Sequence, residues 1–313
     1  MAINIHLGDC REVMASLPEE SVHTCITSPP YWGLRDYAAP GQLGLEDSPN
    51  EYVEHMVEVA RGIRRCLRKD GTLWLNLGDS YIGGGNNRGN RSPISDKQAS
   101  NRGATGQCAE HAKNIRNVSG LKAKDLAGIP WRVALALQDD GWYLRCDIIW
   151  SKPNPMPEPV RDRPTKSHEY IFLLSRSRHY YYDWRAASEP VVSITGSGNK
   201  SRKMGDEYGR PGSPRGASIP WEPTATRNRR SVWTITPEPF RGAHFATFPT
   251  KLVEPCILAG SPVGGTVLDP FSGSGTVALV SARLGRNFVG AEINQEYISM
   301  SEERLSALQP VML

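Results

Sequence analysis

The sequence predicts an α/β fold: a doubly wound, mostly parallel, Rossmann-like sheet with helices on both faces. Three observations carry this. Short apolar or β-branched runs alternate with stretches of helical periodicity along most of the 313 residues. A strand, glycine turn and helix follow one another over residues 266–284, and a second strand closed by an acid comes next. A second strand-to-loop junction, at residues 22–32, ends in two prolines, which must stop a sheet ladder and turn the chain.

The elements read in order as follows. Residues 2–7 form a first strand and Cys10 to Leu17 a short helix. Val22-His23-Thr24-Cys25-Ile26 is apolar and β-branched, a buried strand running to residue 27. Ser48-Pro49-Asn50-Glu51 opens a helix reaching about Leu67, with Tyr52, Val53, Met56, Val59, Ala60 and Ile63 at helical spacing and an acid in its first turn. Asp70-Gly71 turns the chain into the strand Thr72–Leu77. A helix over about Pro130–Asp139 and strands at Tyr143–Trp150 and Tyr170–Leu174 follow, after which regular structure pauses until about residue 245. Thr266–Asp269 is the next strand, Val277–Leu284 a helix ended by Gly285, and Asn287–Ala291 the last strand.

Two places carry chemistry. At the carboxyl end of the strand at 22–27 lies Thr27-Ser28-Pro29-Pro30-Tyr31-Trp32. This stiff loop offers a hydroxyl at Ser28, the backbone carbonyl of Pro29 and the aromatic face of Tyr31. Two acceptors and a plane suit an exocyclic amino group on a flat ring. At the other place, Asp269-Pro270-Phe271-Ser272-Gly273-Ser274-Gly275-Thr276 lets backbone approach a ligand where no Cβ intervenes. Glu292 lies nineteen residues beyond Gly273, well placed for ribose hydroxyls. Gly273-Ser-Gly275-Thr-Val-Ala278 also fits the dinucleotide fingerprint G-x-G-x-x-A. Asp269 decides against that ligand: its carboxylate would repel a pyrophosphate, which dinucleotide sites attract to a helix amino terminus. It favours S-adenosylmethionine, whose ammonium and sulfonium are both cationic.

Ser28-Pro29-Pro30-Tyr31 followed far downstream by Asp269-Pro-Phe-Ser-Gly-Ser-Gly-Thr276 resembles the amino-group DNA methyltransferases of the β arrangement, in which the catalytic motif precedes the cofactor motif by circular permutation. The resemblance covers most of the chain. It implies a permuted methyltransferase core that binds S-adenosyl-L-methionine through Asp269, Pro270, Phe271, Gly273, Gly275, Thr276 and Glu292. It places Asp9, in Gly8-Asp9-Cys10, beside the cofactor adenine, and Phe248 and Lys251 beside the methionine part. Asp147–Asn154 and Ser167–Tyr170 resemble the family's connecting motifs. Implied as catalytic are Ser28, Pro29, Pro30 and Tyr31, with Ser28 Oγ and the Pro29 carbonyl accepting the target N–H bonds. Tyr31 would stack on a base flipped from the duplex, with Trp32 as support. Within the family, Ser at position 28 is more usual in cytosine-N4 enzymes and Asp in adenine-N6 enzymes. Cytosine N4 is therefore the expected target and adenine N6 the alternative. RNA methylation is a third option, and a DNA-binding protein that has lost catalysis is the reading from another class.

The resemblance divides the chain into a catalytic half (1–82 and 121–175), a basic insertion (83–120), a target-recognition region (176–243) and a cofactor-binding half (244–313). The insertion holds six Lys/Arg against two acids, and residues 176–230 hold eleven against five, with aromatic residues interleaved. Arg227, Arg229 and Arg230 are the candidate DNA contacts there, on double-stranded DNA as the expected partner. A net charge of +4 permits this. Six scattered cysteines form no C-x-x-C pair, which points to buried thiols and no metal site. No signal peptide and no membrane span are read, so the expectation is a cytoplasmic, nucleoid-associated protein. A homodimer and a restriction endonuclease acting on the same site are left open.

Overall fold

The computed structural model describes residues 1–34, 41–82, 120–155, 157–191, 226–238 and 248–308. The basic insertion, except for Gly120, therefore lies outside the described residues, as do residues 192–225 and 239–243 of the expected target-recognition region. The strands are β1 (Ile3–Leu7), β2 (Val22–Thr27), β3 (Leu67–Leu77), β4 (Tyr143–Ser151), β5 (His168–Ser175), β6 (Glu189–Pro190), β7 (Thr226–Arg227), β8 (Val232–Thr234), β9 (Thr266–Asp269) and β10 (Asn287–Glu292). The helices, labelled in chain order, are α1 (Cys10–Ser16), α2 (Pro49–Cys66), α3 (Ile129–Asp139), α4 (Thr250–Gly260), α5 (Thr276–Arg283) and α6 (Gln295–Ser306).

Among the described residues, eight strands form one sheet in the order β1-β10-β9-β2-β3-β5-β4-β8, with β6 and β7 a separate ribbon. Only β5 runs against the others. The central strands β10, β9, β2, β3 and β5 are largely buried on both faces, and alternation along them assigns side chains to each. Cys25, Leu73, Leu75, Phe172 and Leu174 face α1, α2 and α3, whereas Ile26, Trp74, Ile171 and Leu173 face α4 and α5.

The helices start where their sequences say. Ser48 Oγ caps α2 by accepting from Glu51 N, with Pro49 at the first helical position. Asp9 caps α1 by accepting from Arg11 N.

The structure departs from expectation in three places. The chain does not turn at Asp70-Gly71: β3 begins at Leu67, and the excess residues appear as a register shift against β2 between Val22 and Thr24. Regular structure does not pause throughout 175–245, because β8 adds an edge strand beside β4. Three residues are too few to show a period. Residues 1–10, expected in the catalytic half, pair with the other one: β1 runs parallel to β10, with Leu7 opposite Glu292.

Candidate active site

The strand order reverses between β9 and β2. From β2 the chain winds outward through α2 to β3, and from β9 through α5 to β10 on the other side. At such a switch point the connections leave in opposite directions and open a crevice at the strands' carboxyl ends. β9 and β2 end in Asp269 and Thr27-Ser28, the two motifs singled out above. Thr27 Oγ1 donates to Asp269 Oδ1 at 2.7 Å, joining residues 242 apart in the chain.

A cleft opens there. Of the expected site residues it is lined by Asp9, Ser28, Pro30, Phe248, Asp269, Pro270, Phe271, Gly273, Thr276 and Glu292. Gln42, Leu43, Ser272 and Tyr297 also line it and were not singled out by sequence.

Asp269 is 1% exposed, and burial pushes its carboxyl up to about 7, against the opposing pull of Thr27 and of the Phe271 N–H that donates to Oδ1 at 3.1 Å. Burial also raises Glu292, whose Oε2 accepts from Gly273 N at 2.7 Å and Oε1 from Asn294 N at 2.9 Å. Glu292 thus holds the glycine turn while its remaining lone pairs stay available. Asp9 differs: Arg11 donates to both its oxygens and holds it below the usual carboxylate range.

The glycine loop is clamped from behind by α6. Ser301 Oγ has both the Gly273 carbonyl, at 3.0 Å, and the Tyr297 carbonyl of its own helix, at 2.8 Å, in reach of its one proton, and the Arg304 guanidinium reaches the Ser274 carbonyl at 2.6 Å and Thr276 Oγ1 at 3.2 Å. Gly275 has φ +73°, and a Cβ there would lie 2.7 Å from Ser301 Cβ. Gly275→Ala is therefore expected to fold less stably by about 1–3 kcal/mol and to bind cofactor more weakly, by thermal melts and calorimetry. An unchanged melt and affinity would show that the clamp yields freely.

These residues fit adenosylmethionine. Two buried acids face the cleft, suited to cationic and hydroxyl groups. Ser272 Oγ, buried at its rim, has no hydrogen-bond partner among the described residues.

Around the Ser28-Pro29-Pro30-Tyr31 loop, the Tyr52 hydroxyl donates to the Pro30 carbonyl at 2.9 Å. Tyr31 is part-buried with one ring edge against Gly78, where an added Cβ would lie 2.4 Å from Tyr31 Cε2. Its hydroxyl lies 2.8 Å from Glu169 Oε2 and 2.9 Å from Asn76 Oδ1.

Two expectations are corrected. Trp32, expected to support DNA contact, is 1% exposed, and its indole N–H donates to the Glu46 carbonyl at 2.8 Å. It is a core residue anchoring the loop, because the indole finds both an apolar bed and an acceptor inside. Lys251 does not line the cleft: α4 turns Leu252, Val253 and Cys256 inward and leaves Lys251 exposed. Arg227 and Arg230 both donate to Glu189 Oε1 at 2.8 Å, and Arg229 donates to the Ala187 carbonyl with its guanidinium 5.5 Å from the Trp233 ring. The structure brings Arg227 and Arg230 together on one carboxylate, while Arg229 is held apart from it, against the Ala187 carbonyl and the Trp233 ring.

The architecture is that of a circularly permuted methyltransferase sheet. The chain belongs to the N6/N4 family of DNA methylases, which matches residues 22–303. It is 48% identical over 303 residues to the Type II methyltransferase M.SmaI of Serratia marcescens, covering 96% of this chain and 90% of that protein. It is 46% identical over 300 residues to M.Cfr9I of Citrobacter freundii, covering 95% and 86%. Among solved structures it is similar to the PvuII DNA methyltransferase, described as cytosine-N4-specific: TM-score 0.64, 20% identity, 100% of this chain and 89% of that one. A putative DNA modification methylase from Thermus thermophilus, complexed with S-adenosyl-L-methionine, matches with TM-score 0.61 and 23% identity over 99% and 96%. At these identities the two structures support the fold alone. No helix among the described residues is long and apolar enough to cross a membrane.

Proposed function

We propose that this DNA methyltransferase moves the methyl group of S-adenosyl-L-methionine to the exocyclic N4 amino group of cytosine at a specific site in duplex DNA. The observation that carries it is the junction at the sheet's switch point. There the Thr27–Asp269 bond holds the Ser28 loop against a cleft lined by Asp269, the glycine turn and Glu292. A neutral Ser28 in the position where adenine-N6 relatives more usually carry Asp favours cytosine.

The chemistry follows from the substrate. An exocyclic amino nitrogen is a poor nucleophile because its lone pair is delocalised into the ring. With Ser28 Oγ and the Pro29 carbonyl each accepting one N–H, the nitrogen becomes pyramidal and its lone pair can attack in line. As the N–CH₃ bond forms, the methyl–sulfur bond would break with its electron pair left on sulfur; the positive charge passes to nitrogen, where preoriented acceptors in a site shielded from water stabilise it until one N–H proton is lost. Alignment of nucleophile, methyl carbon and sulfur supplies the remainder. Asp269 would hold the cationic methionine end, Glu292 the ribose, and Asp9 the adenine, all three lining the cleft. Capture of a flipped base against Tyr31 exposes the amino group. Since the named relatives are Type II methyltransferases, a restriction endonuclease sharing the site is the matching partner.

Single-molecule sequencing of DNA from cells expressing the chain tests this. N4-methylcytosine at one recurring motif is expected; N6-methyladenine there would overturn the choice of base, and unmodified DNA the activity. For duplex contact, replacing Arg227, Arg229 and Arg230 together by Gln is expected to weaken DNA binding. The slope of log affinity against log salt should fall by about 1 for each phosphate that no longer meets a cation. An unchanged slope in a filter-binding titration would place the DNA surface elsewhere.

A further inference from the structure

One cluster of charged side chains touches the catalytic loop without lining the cofactor cleft. Antiparallel pairing of β4 with β5 sets Glu169 opposite Trp150, next to Lys152, while β3 lies on the other side of β5 with Asn76 near its end. Lys152 pairs with Glu169 Oε1, and both side chains are largely buried, 21% and 17% exposed. The other carboxylate oxygen, Oε2, faces Tyr31. Asn76 turns its NH₂ toward the Tyr170 carbonyl at 3.0 Å, leaving its Oδ1 on the Tyr31 side. Ser28 Oγ lies 3.4 Å from the Tyr31 hydroxyl oxygen, oriented to donate to it.

We infer that Glu169, fixed by Lys152, is a positioning residue that acts through Tyr31 to turn the Ser28 hydroxyl into an acceptor for the target amino group. The inference rests on the role proposed above for Ser28 and says what gives that hydroxyl its direction.

A serine hydroxyl is a rotor that can donate or accept, and against an amino group only the accepting orientation helps. The orientation is decided by where the hydroxyl's own proton goes. Tyr31 has one proton and two acceptors in reach, and the carboxylate is the stronger. Burial, and then Glu169 itself, raises the phenol well above its ordinary range, so it stays a donor. With the phenolic proton on Glu169, the Tyr31 oxygen keeps a lone pair for the Ser28 proton, and the Ser28 lone pairs are free for the amine. The Ser28–Tyr31 contact is longer than a formed O–H···O bond; contacts of this kind shorten when substrate arrives. The relay ends in the Lys152–Glu169 ion pair, whose charges largely offset one another, so what it passes to Ser28 is the ordering of donors. A carboxylate serving only as packing would need no such ordering of donors.

The test is a set of single-turnover methylation rates, at saturating S-adenosylmethionine and saturating duplex carrying the chain's own site. It compares Glu169→Gln, Tyr31→Phe and Ser28→Ala with the doubles Glu169→Gln/Ser28→Ala and Tyr31→Phe/Ser28→Ala. Glu169→Gln and Tyr31→Phe are each expected to slow the step about 10- to 100-fold, the worth of one hydrogen bond to a charged group, with cofactor affinity unchanged. Neither should slow the Ser28→Ala enzyme further, because the chain acts only through Ser28. If Glu169→Gln slows Ser28→Ala by the same factor as wild type, Glu169 is ordinary structural support and the inference falls while the role of Ser28 stands. If Ser28→Ala alone is as fast as wild type, the role of Ser28 falls and takes the inference with it. Should Glu169→Gln fail to fold, Tyr31→Phe decides alone: it keeps the ring against Gly78 and removes only the hydroxyl, and a parental rate overturns the inference.

Discussion

Asp269→Asn is expected to bind S-adenosylmethionine at least 30-fold more weakly, because truncating one partner of a buried charge pair costs about 2–5 kcal/mol. The substitution keeps an oxygen for the Thr27 hydroxyl and the Phe271 N–H, so the β2–β9 junction should hold and the loss should report charge. The same residue predicts a pH dependence. Its carboxyl titrates near 7 in the folded protein because burial disfavours the charged form. Protonation at lower pH removes the attraction for a cationic ligand. Cofactor affinity of the parent should therefore fall as pH drops from 7.5 to 5.5, whereas the Asn variant should show a much flatter profile.

Stability should move the other way. A folded-state pKa raised above the ordinary 3.8 means that the folded protein holds this proton more tightly than the unfolded chain does. The group's contribution is then most favourable below about pH 4 and is lost as pH rises to about 7, by an amount on the order of a few kcal/mol. The free Asn variant should consequently gain in melting temperature relative to the parent across that window, with the gain levelling off above it. Calorimetric titration and thermal melts at four pH values make both measurements. Equal, pH-independent affinity in the two proteins would remove Asp269 from the cofactor's cationic end.

Such a residue is legible in sequence because its signal is local: an acid at a strand end followed by a glycine turn. The same holds for Ser28-Pro29-Pro30-Tyr31, where two prolines announce a stiff loop. What the sequence could not show is that these motifs share one crevice, since the Thr27–Asp269 bond exists only once β2 and β9 are neighbours. Nor could it show the clamp made by Ser301 and Arg304. They lie on an amphipathic helix where a serine and an arginine read as surface, and α6 docks them onto the glycine loop. Trp32 failed for the converse reason. An aromatic residue beside a substrate loop suggests contact with a base, but the Glu46 carbonyl gives its N–H a partner inside. Glu169 and Lys152 stand 17 residues apart in the chain, on segments whose local pattern gives no sign that they meet. Antiparallel register makes them a pair, and pairing depends on tertiary placement that local pattern does not encode.

Ser28→Ala separates binding from chemistry, and its expected effect is the loss of about 10²–10³ in the single-turnover rate, the worth of one preoriented group at a developing charge. The side chain lies at the rim of the cleft, and its removal leaves the features that hold the loop: Pro29 and Pro30, the Tyr52 hydroxyl on the Pro30 carbonyl, and Trp32 in the core. Cofactor affinity should stay near the parental value, since Asp269 and Glu292 are untouched. Duplex affinity should stay near it too, because phosphate contacts dominate that term and none is made by Ser28. The target nitrogen would then have only the Pro29 carbonyl as acceptor. One N–H would be left without a partner in a pocket where water cannot replace it, so the nitrogen would remain flatter and its lone pair more delocalised. The rate should therefore fall at saturating DNA and cofactor, a loss in the chemical step that added substrate cannot restore. Ser28→Thr, which keeps an acceptor at the cost of one methyl group, should retain more of the rate than Ala. A Ser28→Ala protein that methylates at the parental rate would mean that other groups activate the amine, and the part assigned to this loop would have to be given up.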